Sequence, residues 1–408
     1  MKIFAVVLTI LLAFTWGTTW STPADPKDDH HEDVSHLCES HDGHGHDEEF
    51  DPGNTAFHHI SDANVYSIGP WNIPLPCIVY APGQGLDVFL SNKFDYDFMG
   101  HGDGQKSYKG YVLVGGSIHR ISDASFPQDA VDVHVVSDAE HHPYVCHQGT
   151  GYHLDAKSTA DGGVFGGGIT SFYDFSLTKN VTSMLIVFGL LAWMFFGIAR
   201  SYREREGRAP TGIQSFIEPI FLFIQDEVAK PFLGSKYMKY LPFLMALFFF
   251  ILGLNLFGQV PFFGGSNVTG NLAVTLVLAV FAFLVTNLSG TKDYWEHIFW
   301  MPGVPAWVKT ILTPVEFLGV FIKPVTLMLR LMANITAGHM VIIIFVSLIF
   351  LFGKLGDNMV GGILTTIPAA LLTIFMMSIE LLVAFIQAFV FTILTASYIG
   401  AAIEEHHH

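Results

Sequence analysis

Long apolar runs constrain the fold of this chain more than any other feature of its sequence. A helix needs about 20 predominantly apolar residues to cross a bilayer core. Five runs reach this length, at residues 181–199, 240–258, 271–290, roughly 311–353 and roughly 362–403. Only 14% of the 408 residues are charged, against about a quarter in soluble domains. The sequence therefore predicts an all-α polytopic membrane protein with about five transmembrane helices.

The last two runs are unusually long for single crossings, since each exceeds 40 residues. Segments of this length must tilt or run partly along the membrane, so we expect a long tilted C-terminal helical hairpin. Before the second run, residues 213–231 place Gln214, Glu218 and Gln225 at spacings of four and seven. This pattern leaves the opposite face apolar and favours an interfacial amphipathic helix on the cytoplasmic surface of the bilayer.

The N-terminal part has a different composition and carries 24 of the 36 acidic residues. Residues 1–24 have the layout of a secretory signal peptide, with a first membrane anchor as the alternative. Residues 25–55 are acidic and rich in histidine, which predicts disorder. Clustered His and Asp could hold Zn²⁺ or Cu²⁺, and the favoured alternative is a solvated tail that binds metal only adventitiously. Residues 176–408 then form the predicted membrane domain.

Residues 56–175 predict a β-rich domain and a linker on the exported, periplasmic side. Short β-favouring runs such as "WNIPLPCIVYA", "LDVFLS", "GYVLVGGSIHRI" and "VDVHVVSD" are separated by turn residues. The paired glycines of "LVGGSI" indicate a turn, and "GGVFGGGITSFYDFS" indicates a flexible connection to the membrane. All three cysteines precede the membrane domain, so a Cys77–Cys146 disulfide is permitted, with Cys38 left over.

The membrane orientation follows from charge, because cytoplasmic loops carry an excess of Lys and Arg. The run at 181–199 ends in "RSYRERE", which places that end in the cytoplasm and agrees with an exported N-terminal region. Five crossings then leave the C-terminus in the cytoplasm. The terminal "EEHHH" is either natural or the remnant of a tag.

Ionisable groups at membrane depth are costly and usually mark function. Besides hydroxyl groups, the last two apolar segments carry five acidic, basic or imidazole side chains and two amides: Glu316, Lys323, Arg330, His339 and Glu380, with Asn334 and Gln387. The first three are seven residues apart and drift only about 20° per step around a helix. Asn334 lies one turn beyond Arg330 on nearly the same face.

His339 is nine residues beyond Arg330 and faces elsewhere on the helix, where it can join Glu380 across the hairpin. Glu316 lies about 21 Å from Arg330 along the axis, on the cytoplasmic side. Two polar entrances separated by a permanent cation make no continuous pore. They are typical of a device in which a mobile carrier takes an ion from one entrance to the other. The alternative is structural, with Arg330 pairing with a carboxylate and His339 serving as a hydrogen-bonded scaffold.

The stretch "KPVTLMLRLMANITAGHM" resembles the hallmark motif of subunit a of the F-type ATP synthase, the stationary ion channel of its membrane sector. "GLNLFGQVP", "NLAVTLVLAVFAFLV" and "AFIQAFVFTILTASYIGAA" are similar to other helices of that family, and the resemblance covers about residues 176–403. It implies that Arg330 faces the rotor ring of c subunits, with Glu316 in the cytoplasmic half-channel and Asn334 and Gln387 near the arginine. His339 and Glu380 occupy positions that hold the exchanged pair, glutamate and histidine, in some members.

The chain departs from the family pattern near the outer entrance. Asn255 matches a polar position of the outer channel, but Gly258, followed by Gln259, stands where some members have an acidic residue. We expect Thr269 or Asn271 to contribute there instead. Lys323 is only an auxiliary candidate, the weakest of the set, because its long stem can carry the charge to the membrane surface.

The resemblance predicts a proton channel subunit that works with the c ring, the peripheral-stalk b subunits and the lipid bilayer of the bacterial inner membrane. The sequence has no P-loop, H-E-x-x-H or G-x-G-x-x-G motif, so we expect no cofactor and no ATP hydrolysis by this chain. Charge gives no reason to expect a nucleic-acid partner. A metal-ion transporter with a His-rich periplasmic tail is the alternative, but only His339 lies within the predicted helices.

Overall fold

The fold is taken from a computed structural model of the chain. It describes Cys38 and residues 61–68, 71–96, 103–121, 123, 125–137, 143–155, 172–260, 266–301, 305–352 and 359–404. The predicted signal peptide and, apart from Cys38, the predicted disordered segment lie outside these residues. The described chain is a β-rich part followed by a bundle of long helices.

Ten short strands make up the β-rich part. They are Val65–Ile68 (β1), Trp71–Pro74 (β2), Pro76–Ala81 (β3), Gly85–Leu90 (β4), Tyr111–Val114 (β5), Ser117–Arg120 (β6), His134–Ser137 (β7), Pro143–His147 (β8), Thr150–His153 (β9) and Tyr173–Asp174 (β10). All pairings are antiparallel, in four small sheets ordered β1-β2, β10-β3-β4, β5-β6 and β7-β8-β9. The predicted β-favouring runs are thereby confirmed as strands.

The turn predicted at the paired glycines joins β5 to β6. Gly115 and Gly116 both have positive φ, 55° and 77°, and Val114 pairs with Ser117 across them. Two left-handed residues in a two-residue loop match the twist of an antiparallel hairpin, which is why glycine is preferred there.

The Cys77–Cys146 disulfide that the sequence permits does not form, because Cys146 is bonded to Cys38. Cys77 is not in a disulfide, has no exposed surface, and donates through Sγ to the carbonyl oxygen of Leu75. It lies on the inward face of β3 beside Phe89 and Phe94 in the apolar core of the domain. Alternation along the strand explains this position, since Cys77, Val79 and Ala81 all point inward.

The predicted flexible connection is also wrong over its last residues. Phe172 is buried, and β10 pairs with β3 through Tyr173 opposite Tyr80. Pairing continues beyond β10, with Phe175 N donating to Ile78 O and Leu177 N to Pro76 O. Alternating aromatic residues give this stretch a strand character that the preceding glycines conceal. Residues 162–171 of the connection lie outside the described part.

After the β-rich part, the described residues form seven helices of eight or more residues. They are Lys179–Glu204 (α1), Ile213–Phe223 (α2), Tyr237–Gln259 (α3), Leu272–Ser289 (α4), Lys292–Phe299 (α5), Ala306–Phe352 (α6) and Met359–Ile403 (α7). Between α2 and α3 the backbone remains helical, with a π-helical turn at Ile224–Ala229, a short α-helix at Lys230–Leu233 and a 3₁₀ turn at Gly234–Lys236.

Five helical segments of the described chain are long and apolar enough to cross a membrane, as predicted. One of them is the nearly continuous stretch from Ile213 to Gln259. At 1.5 Å per residue, the 47-residue α6 and the 45-residue α7 are each about 70 Å long, about twice the thickness of a bilayer core.

The polar positions of α2 are directed at α1. Gln214 is buried, accepts a hydrogen bond from Ser201 and donates one to Glu218. Ile213 and Phe216 are exposed on another side of the helix. The interfacial location of α2 therefore stays a prediction, with an apolar side available to lipid.

Asp62 connects the β-rich part to the first membrane helix. Its Oδ1 accepts hydrogen bonds from the backbone N–H groups of Ala63 and of Asn180 in the first turn of α1, both at 3.0 Å. Thr178 caps the same helix end through its side chain. Burial raises the pKa of Asp62, and the hydrogen bonds and the nearby Lys179 only partly offset this effect.

Candidate functional site

A carboxylate and an imidazole meet inside the helical bundle. His339 Nδ1 on α6 lies 2.6 Å from Glu380 Oε1 on α7, and the two side chains are only 12% and 4% exposed. This is an ion-pair distance when the imidazole is protonated. The structure therefore brings together the two residues that spacing placed on facing sides of the hairpin.

Small residues allow this approach. A Cβ atom on Gly338 would lie 3.0 Å from Glu380 Oε1, so a side chain at this position would crowd the carboxyl group. Ala384, one turn beyond Glu380, is fully buried. The pair thus depends on glycine and alanine as well as on its own charges.

Amide and hydroxyl groups extend the site toward α3 and α4. Thr269 Oγ1 donates to Asn255 Oδ1 at 2.7 Å, and Asn255 Nδ2 donates to the carbonyl oxygen of Ala384. Gln259 Nε2 donates to the carbonyl oxygen of Glu380 at 2.7 Å. We call Asn255, Gln259, Thr269, His339 and Glu380 the buried polar cluster. Four separate segments contribute to it, so no local sequence pattern could have shown the full set.

Asn271 caps a helix in the structure, and its contribution to the outer entrance stays a prediction. Its side chain accepts from the backbone N–H of Ala273 and caps α4. Asparagine is among the preferred residues at a helix N-terminus, so this contact is explained by capping alone.

Two residues that sequence reasoning did not single out lie beside the cluster. Ser266 and Asn267 are 1% and 4% exposed, and Ser266 Oγ and Asn267 Oδ1 have no hydrogen-bond partner among the described residues. The same is true of His339 Nε2. Buried polar atoms are usually satisfied by protein or by ordered water, so the site has spare capacity for water. The sequence "SNVTG" is polar, but this composition is common in loops and does not distinguish these two residues.

Close packing at Gly258 explains why this chain lacks the acidic residue that some family members have at this position. A Cβ atom at this position would lie 2.7 Å from the carbonyl oxygen of Ser266 and 3.6 Å from His339 Nε2. The segment that begins at Ser266 therefore packs directly against the backbone of α3. An acidic side chain has no room here, and the imidazole faces a bare backbone.

Arg330 lies on a different face of α6. It is exposed, and so are Lys323 and Asn334, while Glu316 is partly exposed. We call these four residues the arginine stripe. The stripe faces away from the buried polar cluster, and Arg330 and His339 are separated by about 13 Å along the helix axis.

The remaining candidates lie at the edges of these two groups. Gln387, two turns beyond Glu380, is buried at 7% exposure. Lys323 Nζ lies 5.3 Å from the ring centre of Tyr398 on α7, within cation–π range. Lys323 and Tyr398 line an open-sided pocket together with Asn287 and Tyr294.

In the described part of the chain, no group of three His, Cys, Asp or Glu side chains comes close enough together to hold a metal ion. The His-rich segment at 25–55 is outside the described residues except for Cys38, which is in the disulfide.

Fold and site together define a multi-pass membrane protein whose bundle contains a buried acid–base pair and displays an arginine on another face. Comparison with known proteins gives the family. The family described as ATP synthase A chain matches residues 181–400, which is more than half of the chain. The chain belongs to this family. A second match, at residues 55–145, is to a domain of unknown function (DUF8433).

Individual relatives agree with this assignment. ATP synthase subunit a of Chloroherpeton thalassium is 38% identical over 242 residues, covering 58% of this chain and 69% of the relative. Subunit a of Pelodictyon phaeoclathratiforme is 40% identical over 235 residues, 56% of this chain and 66% of the relative. Subunit a 2 of Prosthecochloris aestuarii is 39% identical over 242 residues, 58% of this chain and 71% of the relative.

Proposed function

We propose that this chain is the stationary proton-channel subunit of an F-type ATP synthase, with two offset half-channels that load and unload protons on carboxylates of a rotor ring. One observation carries the proposal: the polar groups at membrane depth are divided between two faces of α6. The buried polar cluster is inside the bundle, and the arginine stripe is on its surface. A single pore would need these groups to line one path.

The buried polar cluster would form the periplasmic half-channel. His339 and Glu380 form a pair in which either member can hold a proton, and His339 Nε2 remains available on the far side of the ring. Asn255, Gln259, Thr269, Ser266 and Asn267 surround this pair with hydroxyl and amide groups that can order water. Protons move along such chains of water and side chains.

The arginine stripe would face the rotor ring. A guanidinium keeps its charge at all physiological pH values, so Arg330 attracts a ring carboxylate and repels a proton that would cross directly. Asn334 is its polar neighbour on the same face, Gln387 is a buried polar group near it, and Glu316 begins the cytoplasmic half-channel. Each proton crossing is worth about 2.3 kcal/mol at 100 mV, and the division by Arg330 makes its release depend on rotation.

The complex and the membrane orientation complete the proposal. The ring of c subunits covers the stripe, and the b subunits of the peripheral stalk hold the chain stationary. The β-rich part lies in the periplasm, α2 lies along the cytoplasmic surface of the inner membrane, and the C-terminus is cytoplasmic. The chain itself hydrolyses no ATP. Its matches to the ATP synthase A chain family and the positive residues after the first apolar run support this arrangement.

An Arg330→Ala variant tests the proposal in the assembled complex. We expect ATP-driven acidification of inverted vesicles to be lost, because the ring carboxylate loses its counter-charge and protons can bypass rotation. Lys239→Ala is the matched control, since Lys239 is an exposed cation on α3 away from the stripe. Normal pumping by the Arg330→Ala complex, with the subunit present in normal amounts, would contradict the proposal.

A further inference from the structure

The sheet β10-β3-β4 has one apolar face that no other described segment covers. Its side chains are large and exposed, with Leu86 and Val88 at 63% and Leu90 at 45%. The other members are Tyr80, Tyr173 and Phe175. We call these six residues the apolar sheet face. Isolated exposed apolar residues are common, whereas a contiguous patch usually marks an interaction surface.

Strand register makes the patch contiguous. Leu86 pairs with Tyr80, Tyr80 pairs with Tyr173, and Val88 pairs with the partly exposed Ile78. Because side chains alternate along a strand, the neighbours in sequence point into the domain core instead. Cys77, Val79 and Phe89 are buried there.

The two charged residues in these strands follow the same alternation and leave the apolar sheet face without charge. Asp87 lies between Leu86 and Val88 and forms an ion pair with Lys109. Asp174 lies between Tyr173 and Phe175 and accepts a hydrogen bond from the backbone N–H of Ser176. A surface without charges and with two tyrosines suits the boundary between lipid and water.

The apolar sheet face lies next to the start of α1, and this location indicates what covers it. The pairing of residues 173–177 with β3 ends at Leu177, two residues before α1 begins. Leu177 points to the same side as Tyr173 and Phe175, and it packs against the core of the helical bundle. The apolar sheet face is therefore continuous with the apolar surface of the membrane domain at the level where α1 enters the bilayer.

We propose that the apolar sheet face rests in the interfacial layer of the leaflet nearest the start of α1, with its tyrosines among the lipid headgroups. The β-rich part is then a peripheral membrane domain as well as an extension of a transmembrane one. Asp62 and Tyr66 hold it in this position through hydrogen bonds to Asn180 and Ser183 in the first turns of α1.

Site-specific fluorescence in proteoliposomes tests the proposal. Val88→Cys in the full-length chain, assembled in the complete ATP synthase, is labelled with an environment-sensitive dye. Quenching is measured with iodide in the water phase and with a nitroxide attached to the lipid near the headgroup. Thr150→Cys is the matched control, because Thr150 is exposed on β9 in a different sheet. The chain without a new cysteine measures labelling of the buried Cys77.

We expect lipid-borne nitroxide to quench the dye at Val88 at least twofold more than the dye at Thr150, and iodide to show the reverse order. Equal quenching of both dyes by iodide would show a solvated face and overturn the proposal. Protection of the Val88 dye from both quenchers would show that a protein covers the face, which also overturns it. A second variant, Leu86→Cys, repeats the measurement in case the Val88→Cys chain fails to assemble.

Discussion

His339 and Glu380 are the residues whose chemistry is most directly testable. Each single change, His339→Glu or Glu380→His, leaves two groups of the same kind in one buried site, and like charges there cannot both ionise. We expect each to lower proton pumping by roughly 10²-fold, the lower range for a positioned proton-transfer group. The double exchange restores an acid–base pair and should recover much of the lost rate.

The measurement is ATP-driven acidification of inverted vesicles, corrected for the amount of assembled complex. Glu380→Gln is a useful companion, because it keeps the size of the side chain and removes its titration. If the double exchange were no better than the two single variants, the residues would not be acting as a pair.

Gly258 is the second residue-scale test. In Gly258→Ala the new Cβ atom would meet the Ser266 carbonyl oxygen at 2.7 Å. The segment before α4 would have to move, at a cost of about 1–3 kcal/mol typical of overpacking. We expect a lower thermal unfolding temperature and slower pumping. Gly189→Ala is the control, because nothing lies within 4 Å of a Cβ atom there; an equal effect of both changes would contradict the explanation.

Sequence reasoning at this scale found the charged residues and missed part of their surroundings. An arginine or glutamate within an apolar run is conspicuous because it is costly in lipid. Ser266 and Asn267 follow two glycines in a loop and look like ordinary turn residues. Their burial depends on contacts with α3 and α6 that only the fold supplies.

At the scale of elements, the start of α1 depends on a residue more than a hundred positions earlier. Asp62→Ala removes the acceptor for the Asn180 N–H and should cost about 1 kcal/mol, the usual value of a helix cap. Asp62→Asn keeps an acceptor oxygen and should cost less. Thermal unfolding of the detergent-solubilised chain measures both changes. Equal stability of Asp62→Ala and the parent chain would contradict the capping role.

Asp62 also predicts a pH dependence. Burial raises its pKa above the ordinary value of 3.8, so the folded chain keeps the proton to a higher pH than the unfolded chain. The stability from this proton is complete below about 3.8 and is lost as pH rises through the raised pKa. The unfolding temperature of the parent chain, relative to Asp62→Asn, should therefore fall as pH rises. A difference in unfolding temperature that does not change with pH would contradict this prediction. Asp129→Asn is the control, because Asp129 is exposed.

Element boundaries were predictable where composition changes abruptly and unpredictable where tertiary contacts decide. The apolar runs gave the five candidate spans, because length and hydropathy are local properties. β10 was missed because it has only two residues and exists through its pairing with β3. The buried Gln214 likewise depends on Ser201 at the end of another helix.

For the whole molecule, the Cys38–Cys146 disulfide joins positions 108 residues apart and so ties the chain before β1 to β8. Cys38→Ser should destabilise the β-rich part by about 2–5 kcal/mol, the usual effect of removing a native disulfide. Non-reducing electrophoresis and thermal unfolding measure the change. Cys77→Ala, which leaves the bond intact, should keep the compact non-reduced mobility; a loss of that mobility would contradict the pairing.

The exposed guanidinium of Arg330 affects the stability of a newly inserted copy before it assembles. A copy newly inserted into the bilayer presents this cation to hydrocarbon, at a cost of roughly 2.5–3.5 kcal/mol on the insertion scale. That cost disappears only when another surface covers α6. We therefore expect a copy with uncovered α6 to be less stable than an assembled one. The residue that we propose divides the proton path would then also favour copies that have joined their complex.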